Sequence, residues 1–585
     1  MRLLGLVKGH WLVLALAVLV SLIYGSHHFF ISRELTGRGL EYYPVTIASN
    51  RDEGAMYGPR ASAVFEGQLI AGDVSISGNE KSPSILPMLN PIILGGLGRI
   101  LGSLKAAFIV SDFLFPPLIF VILYLLALEL SRSKLLSSLF ASVFIFMPKI
   151  FLLSDFTREI LPDPANELYF SRFEYPKITY LFFASALYLI LIALKRNQKY
   201  LTILAGASFG LVFYSYLYDW VHVFIGLLLM FLFFLFQKDY GRVRRLLIII
   251  SVGFLIAIFY WINFLNLRNL PHYADLVNRI GVEIGYNFRL ATAWKSYARA
   301  GFLALFIWFL WKKRDKITAT YLASLLLVIA VVLNIQVLLG FNPQPDHWHR
   351  TQFLAVGLGI LALAEWFNKK HLDNLPRQFK ALAAGILIAL ILGKSFYAQY
   401  LYSEQNADRY SINQVQAVSY KWLNRKAVKG SVVGSISFSV NGELLLYTAS
   451  EIFLPNGFNT TISDAEIWDR FMIAARIFGI SAQEFKDLAR QTDNVLYLFH
   501  DEYRDRSFDS YFGTSGRVLP EEVAAEAERR YAGYLKVPAD DLALRYQLDY
   551  LYFKDGDPGK DPIQILPAIK KVFDANGIRI YRLKS

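Results

Sequence analysis

Apolar stretches, most of them near the length a helix needs to cross a bilayer, recur along the first 400 residues. They lie at roughly 11–31, 106–129, 135–153, 178–194, 200–218, 221–236, 246–265, 298–311, 317–339, 351–366 and 380–400. A soluble core has no room for so many. Charged residues make up 18% of the chain, against about 25% in soluble domains. The 46 Phe and 34 Tyr suit rings that anchor helices at the headgroup level. The pattern predicts a polytopic α-helical membrane protein with about 11 transmembrane helices. The first of them, in "MRLLGLVKGHWLVLALAVLVSLIYG", is longer than the apolar part of a signal peptide and has no A-x-A site after it. It reads as an uncleaved span.

Loop charge sets the orientation. Alternate connections are short and basic: Arg2 and Lys8; Arg132 and Lys134; Lys195, Arg196 and Lys199; Lys238, Arg242, Arg244 and Arg245; Lys312, Lys313, Arg314 and Lys316; Lys369, Lys370, Arg377 and Lys380. The positive-inside rule places these in the cytoplasm. The N-terminus is then cytoplasmic, the chain a multi-pass protein of the cell (inner) membrane, and the C-terminal domain extracytoplasmic. The net charge of +13 belongs to the membrane half, because residues 404–585 hold 23 Lys and Arg against 25 Asp and Glu. That distribution argues against nucleic acid as a partner. The absence of cysteine excludes disulfides, thiolate metal sites and cysteine nucleophiles.

Two domains are expected. Residues 1–403 form the transmembrane domain, with a large first outer loop at 32–105. This loop closes with "SILPMLNPIILGGLGRILGSL", whose Gly and Pro suggest an interfacial or re-entrant helix. Residues 404–585 form a soluble α/β domain. Its predicted strands are "SVVGSIS", "NVLYLFH", "DYLYF" and "IRIYRL"; its predicted helices are 463–478, 519–533 and 562–574.

Polar residues gather in the outer loops. Asp52 and Glu53 open an amphipathic stretch that runs through Tyr57, Arg60 and Phe65. A carboxylate there could act as a general base toward a hydroxyl; acids in a helix's first turn are also commonly just solvated. The second outer loop carries Asp155, Arg158, Glu159, Asp163 and Glu167, oxygen donors for a hard divalent cation such as Mg or Mn or simply a solvated acidic loop. His347, His349 and Arg350 stand in "PDHWHRTQ", just before a helix re-enters the membrane. The planar fork of Arg350 suits a phosphate. The His pair has a spacing that admits a metal, although interfacial His is commoner. Asp112, Asp219 and His222 are the polar groups placed deepest, the last two expected at a hydrated helix end.

These features together resemble the GT-C class of membrane glycosyltransferases, of the protein O-mannosyltransferase and lipid A aminoarabinose transferase type. The resemblance rests on the acidic pair in "RDEGAMYGPRASAVFEG", on Asp155, and on the Arg-x-x-x-Pro of "SRFEYPKITYLFFASALYLIL". It also rests on Arg350 in the last outer loop and on an outward soluble domain. It implies transfer of a sugar from a polyprenyl-phosphate carrier to an acceptor hydroxyl of a glycan, lipid or protein, in cell-envelope glycan or glycoprotein synthesis. Asp52 would be the base and Glu53 its helper. Tyr57, Arg60, Arg172, His347, His349 and Arg350 would bind substrate, and Asp155 and Glu159 a divalent cation. A flippase for lipid-linked substrates and a non-catalytic envelope scaffold are the rival readings.

Overall fold

Among the described residues each apolar window is mainly helix, the element that satisfies its own backbone without water. The computed structural model describes residues 2–46, 53–70, 72–79, 81–152, 156–286, 288, 294–312, 315–372, 374–412, 414–504 and 518–583. Five helices are long and apolar enough to cross a membrane: His10–Gly37, Leu104–Ser131, Leu217–Phe236, His349–Leu372 and Arg377–Tyr410. Tyr240–Ile256 and Ile258–Arg268 meet at a bend of 56° and make a sixth span if taken as one. Lys134–Phe146, Thr179–Lys195, Lys199–Phe213 and Lys316–Val332 are apolar but have 17 residues or fewer. At about 1.5 Å per residue even the longest rises about 25 Å, short of the ~30 Å hydrocarbon core. Length therefore supports five or six of the expected spans. The window 317–339 breaks near Asn334, and Ile335–Leu339 forms a separate short turn of helix.

The chain divides into two compact units. The first comprises Met1–Glu34, Phe108–Trp261 and Ile284–Ala407. It holds the long apolar helices and one continuous core around Tyr24, Phe120, Phe144, Phe183, Tyr321 and Phe353. A serine and two aspartates in its basic connections start the next helix. Ser133, Asp239 and Asp315 accept from the amides of Leu136, Arg242 and Thr318, filling donors that a helix N-terminus leaves orphaned. Gly206 and Gly210 stand one turn apart and let Lys199–Phe213 lie directly on Tyr240–Ile256. A Cβ at either would come within 2.7 Å of Val252 or Ile256, the close approach that small-xxx-small pairs permit. Pro116 and Pro117 sit inside Leu104–Ser131. Lacking amide hydrogens, they leave the carbonyls of Asp112 and Phe113 without their usual donors. The Ser21 hydroxyl donates to Phe113 O at 2.6 Å.

The second unit comprises Leu35–Ala107, Ile262–Glu283 and Asp408–Ser585. Its sheet has strands β1 (Val432–Gly434), β2 (Glu451–Ile452), β3 (Tyr550–Lys554), β4 (Lys570–Ala575) and β5 (Ile578–Arg582). The order is β2-β1-β3-β5-β4. β1 runs parallel to β2 and β3, and β5 is antiparallel to β3 and β4. Two sequence expectations are corrected here. "NVLYLFH" is the helix Thr492–Phe499 and not a strand. Its run from Val495 to Phe499 is buried on every side, and a continuous apolar run fits either element. Residues 562–574 are not a helix: a short 3-10 turn, Pro562–Gln564, leads to β4. β4 pairs with β5 across Asn576-Gly577, both with positive φ, the pair that two-residue hairpins favour.

The helix Leu89–Leu101, at the close of the long connection 38–103, has 13 residues, too few to span. It packs on Glu53–Phe65, where a Cβ on Gly95 would strike Ala61 O and Val64. Asp73 of the same loop is fully buried and takes the Thr460 hydroxyl at 2.6 Å and the Thr461 amide at 2.8 Å on Oδ2, and the Ser75 amide at 3.0 Å on Oδ1. Burial raises its pKa above the usual carboxylate range against the pull of these donors. Arg279 is also fully buried. Its Nη1 donates to Asp464 at 2.6 Å, and its Nη2 to the carbonyls of Thr460 at 3.1 Å and Ile462 at 2.8 Å.

Candidate active site

The connection "GFNPQPDHWHRTQ" is held by a ladder of buried side-chain hydrogen bonds in the first unit. Trp348 Nε1 donates to Asn342 Oδ1 at 2.8 Å, and Asn342 Nδ2 to Gln336 Oε1 at 2.8 Å. The Tyr218 hydroxyl donates to Pro343 O at 2.9 Å. This framework delivers Arg350 into the first turn of the helix His349–Phe367 with only 8% of its surface exposed. Its Nη1 donates to the Tyr216 hydroxyl at 3.0 Å, and the guanidinium lies 5.7 Å from the centre of the Tyr216 ring. His347 Nδ1 is 3.3 Å from the same hydroxyl, and the Tyr175 ring packs 4.8 Å from that of Tyr216. A cation oriented in advance at a helix N-terminus, beside an imidazole, is an anion site by its chemistry.

Asp219 and His222 do not sit at a hydrated helix end, as the sequence suggested. They are 2% and 0% exposed. The helix Leu217–Phe236 starts just before them and turns both inward, with the His222 ring edge-on to Phe183 at 5.7 Å.

Asp112 lies deep, as expected, but in company that the sequence reading did not single out. Its Oδ1 accepts from Lys177 Nζ at 2.9 Å, and its Oδ2 is 3.0 Å from His28 Nε2. His27, its ring tilted against that of His28 with centres 3.9 Å apart, has Nδ1 2.8 Å from Tyr24 O. All four are buried. The signal that could have found them is two adjacent histidines inside an apolar helix. Among the described residues, His27, His28 and Asp112 bring three ligand atoms within 4.8 Å of one another. They do not fit the expected Mg or Mn cation. Imidazole suits softer metals, and Lys177 already neutralises Asp112, so a divalent ion would leave two uncompensated charges in a buried place. We expect Lys177→Met to lower stability by about 3 kcal/mol, since it strands a buried carboxylate. Adding Asp112→Asn should restore most of it. Thermal unfolding of the three variants in detergent checks this.

The other predicted residues are distributed between the units. Asp52 and Asp155 lie outside the described residues. Glu53 opens the helix Glu53–Phe65 of the second unit. On that helix Tyr57 meets Phe458 edge-on at 6.2 Å, and Arg60 is buried. In the first unit, Glu159 is half-buried on the short helix Phe156–Ile160, and Arg172 follows the turn Tyr169–Ser171. His349 is exposed, with its ring on Phe353 at 5.6 Å. Of the expected substrate-binding set, His347 and Arg350 converge, on Tyr216.

No family model matches the chain, and no curated protein does. Among solved structures, it is similar to the oligosaccharyltransferase of Archaeoglobus fulgidus, a complex with Zn and sulfate. The match has 12% identity and a TM-score of 0.46, covering 92% of this chain and 67% of that one. It is similar to the arabinofuranosyltransferase AftD from Mycobacteria at 13% identity and a TM-score of 0.47, over 98% of this chain but only 40% of AftD. It is also similar to ArnT from Cupriavidus metallidurans bound to undecaprenyl phosphate, at 8% identity and a TM-score of 0.47, over 98% of both chains.

Proposed function

We propose that this chain is an integral membrane glycosyltransferase of the GT-C type. It moves a sugar from a polyprenyl-phosphate carrier to an acceptor hydroxyl at the outer face of the cell membrane, in the synthesis of an envelope glycan or glycoprotein. The observation that carries the reading is Arg350: a buried guanidinium fixed by Tyr216 at a helix N-terminus, on the connection where the sequence resemblance expects the phosphate clamp.

In this reading Arg350, with Arg172, stabilises the phosphate as it leaves. The acceptor oxygen attacks the anomeric carbon and the bond from that carbon to the phosphate oxygen breaks. The configuration inverts, and the acceptor's proton passes to Asp52. Glu53 orients the acceptor, and Tyr57 and Arg60 line its approach. Asp155 and Glu159 are the carboxylates that would hold a divalent cation, whose chemistry would be to neutralise phosphate charge.

The test is transfer of labelled sugar from a polyprenyl-phosphate donor to acceptor by the purified chain. Asp52→Asn should lower the rate by about 100-fold or more while the protein stays folded. Full activity of that variant removes Asp52 from the role. Movement of the intact labelled carrier across vesicles without sugar transfer makes the protein a flippase instead.

A further inference from the structure

The phosphate reading leaves two buried groups, on the helix that follows Tyr216, without a task. Asp219 and His222 lie three residues apart on Leu217–Phe236, so they share one face of that helix. Neither ring nitrogen of His222, nor Oδ2 of Asp219, has a hydrogen-bond partner among the described residues. The residues just before them touch the Arg350 segment: the Tyr216 hydroxyl takes the guanidinium at 3.0 Å, and the Tyr218 ring lies 4.8 Å from that of Trp348. The Phe183 ring, roughly perpendicular to that of His222, offers it no conventional hydrogen bond. An imidazole of either tautomer carries one donor and one acceptor. Each orphaned polar atom costs about 1–3 kcal/mol, and a carboxylate costs more. Leucine at these positions would avoid that cost altogether.

Groups buried in this state suit a ligand that brings its own donors and acceptors. A prenyl chain brings neither. A phosphate dianion only accepts, and it repels a carboxylate. Sugar hydroxyls donate and accept at once: one can donate to Asp219, a second can accept from the protonated nitrogen of His222, and a third can donate to the bare one. We propose that Asp219 and His222 bind hydroxyl groups of the sugar on the lipid carrier, next to the phosphate held by Arg350. The inference rests on the carrier reading of Arg350 and adds to it where the glycosyl group lies and what recognises it. The two residues are then determinants of sugar specificity.

The experiment compares two affinities on the full chain in detergent: that for decaprenyl phosphate, and that for decaprenyl phosphate bearing mannose, glucose or arabinofuranose. The quantity read is the ratio between them. In the wild type at least one sugar should tighten binding by about tenfold, the worth of one or two good hydrogen bonds. Asp219→Asn and His222→Phe should each reduce that ratio to below about twofold. Asp219→Asn is isosteric, and a ratio within one variant does not depend on how much of it is active. A ratio that survives both substitutions, or a wild type that gains nothing from any of the sugars, overturns the sugar assignment while the phosphate reading stands. If Arg350→Ala leaves decaprenyl phosphate binding intact, the phosphate reading fails and the sugar assignment falls with it.

Discussion

Arg350→Ala is expected to lower kcat/KM for sugar transfer by about 1000-fold, the upper range for removing one preorganised group that meets charge in the transition state. The size follows from its setting. The guanidinium is almost fully out of solvent and aligned by the Tyr216 hydroxyl, so little reorganisation is needed when a phosphate accepts charge. Arg350→Lys should recover only part of the loss, because an ammonium keeps the charge but not the planar fork. Tyr216→Phe should cost about tenfold, one hydrogen bond's worth of alignment. Transfer kinetics with labelled donor, beside unfolding midpoints for each variant, measure this. An Arg350→Ala enzyme within about threefold of wild type would end the phosphate assignment.

Arg279→Ala is expected to destabilise the second unit by about 4 kcal/mol. Three acceptors depend on that one side chain: Asp464 and the carbonyls of Thr460 and Ile462. Removing it leaves a mostly buried carboxylate and two carbonyls short of their donors. Arg279→Lys should retain less than half of the stabilisation, since one ammonium cannot reach across three acceptors in a fixed plane. Asp464→Asn should be milder, because the amide still accepts from the guanidinium. Hydrogen exchange of the amides at 460–464, with denaturant unfolding of the full chain, checks the ranking. Equal protection in Arg279→Ala and wild type would show that the guanidinium does not hold this segment.

The apolar helices were legible from hydropathy, and length supports five or six of them as spans. Their ends were less so. The bend at Ala257 in the 246–265 window carries no Pro or Gly at the break, and the 317–339 window is apolar straight through the interruption at Asn334. In the C-terminal domain, strands with aromatic and β-branched alternation such as 550–554 and 578–582 were readable. The helix 492–499 was not, because a run buried on all sides shows no period. Strand 570–575 was marked by Asn576-Gly577, a turn signal passed over in favour of helix. At the candidate site, residue type and place singled out Arg350, but not its burial against Tyr216. Asp219 and His222 were misjudged as hydrated, because sequence shows how far a residue lies from a helix end but not what packs on it. Lys177 and Arg279 were invisible for the same reason: their partners lie 65 and 185 residues away.

The paired prolines in Leu104–Ser131 bear on how the chain enters the bilayer. A span whose ladder is open at Asp112 and Phe113 carries bare carbonyls that lipid cannot satisfy. One of them is closed by Ser21, a residue of the preceding span and 92 positions earlier. The second span is therefore unfit to stand alone in hydrocarbon and partitions as half of a pair. The two helices are therefore expected to enter hydrocarbon side by side, the serine of one closing the carbonyl of the other. Their pairing is thus written into a serine and two prolines.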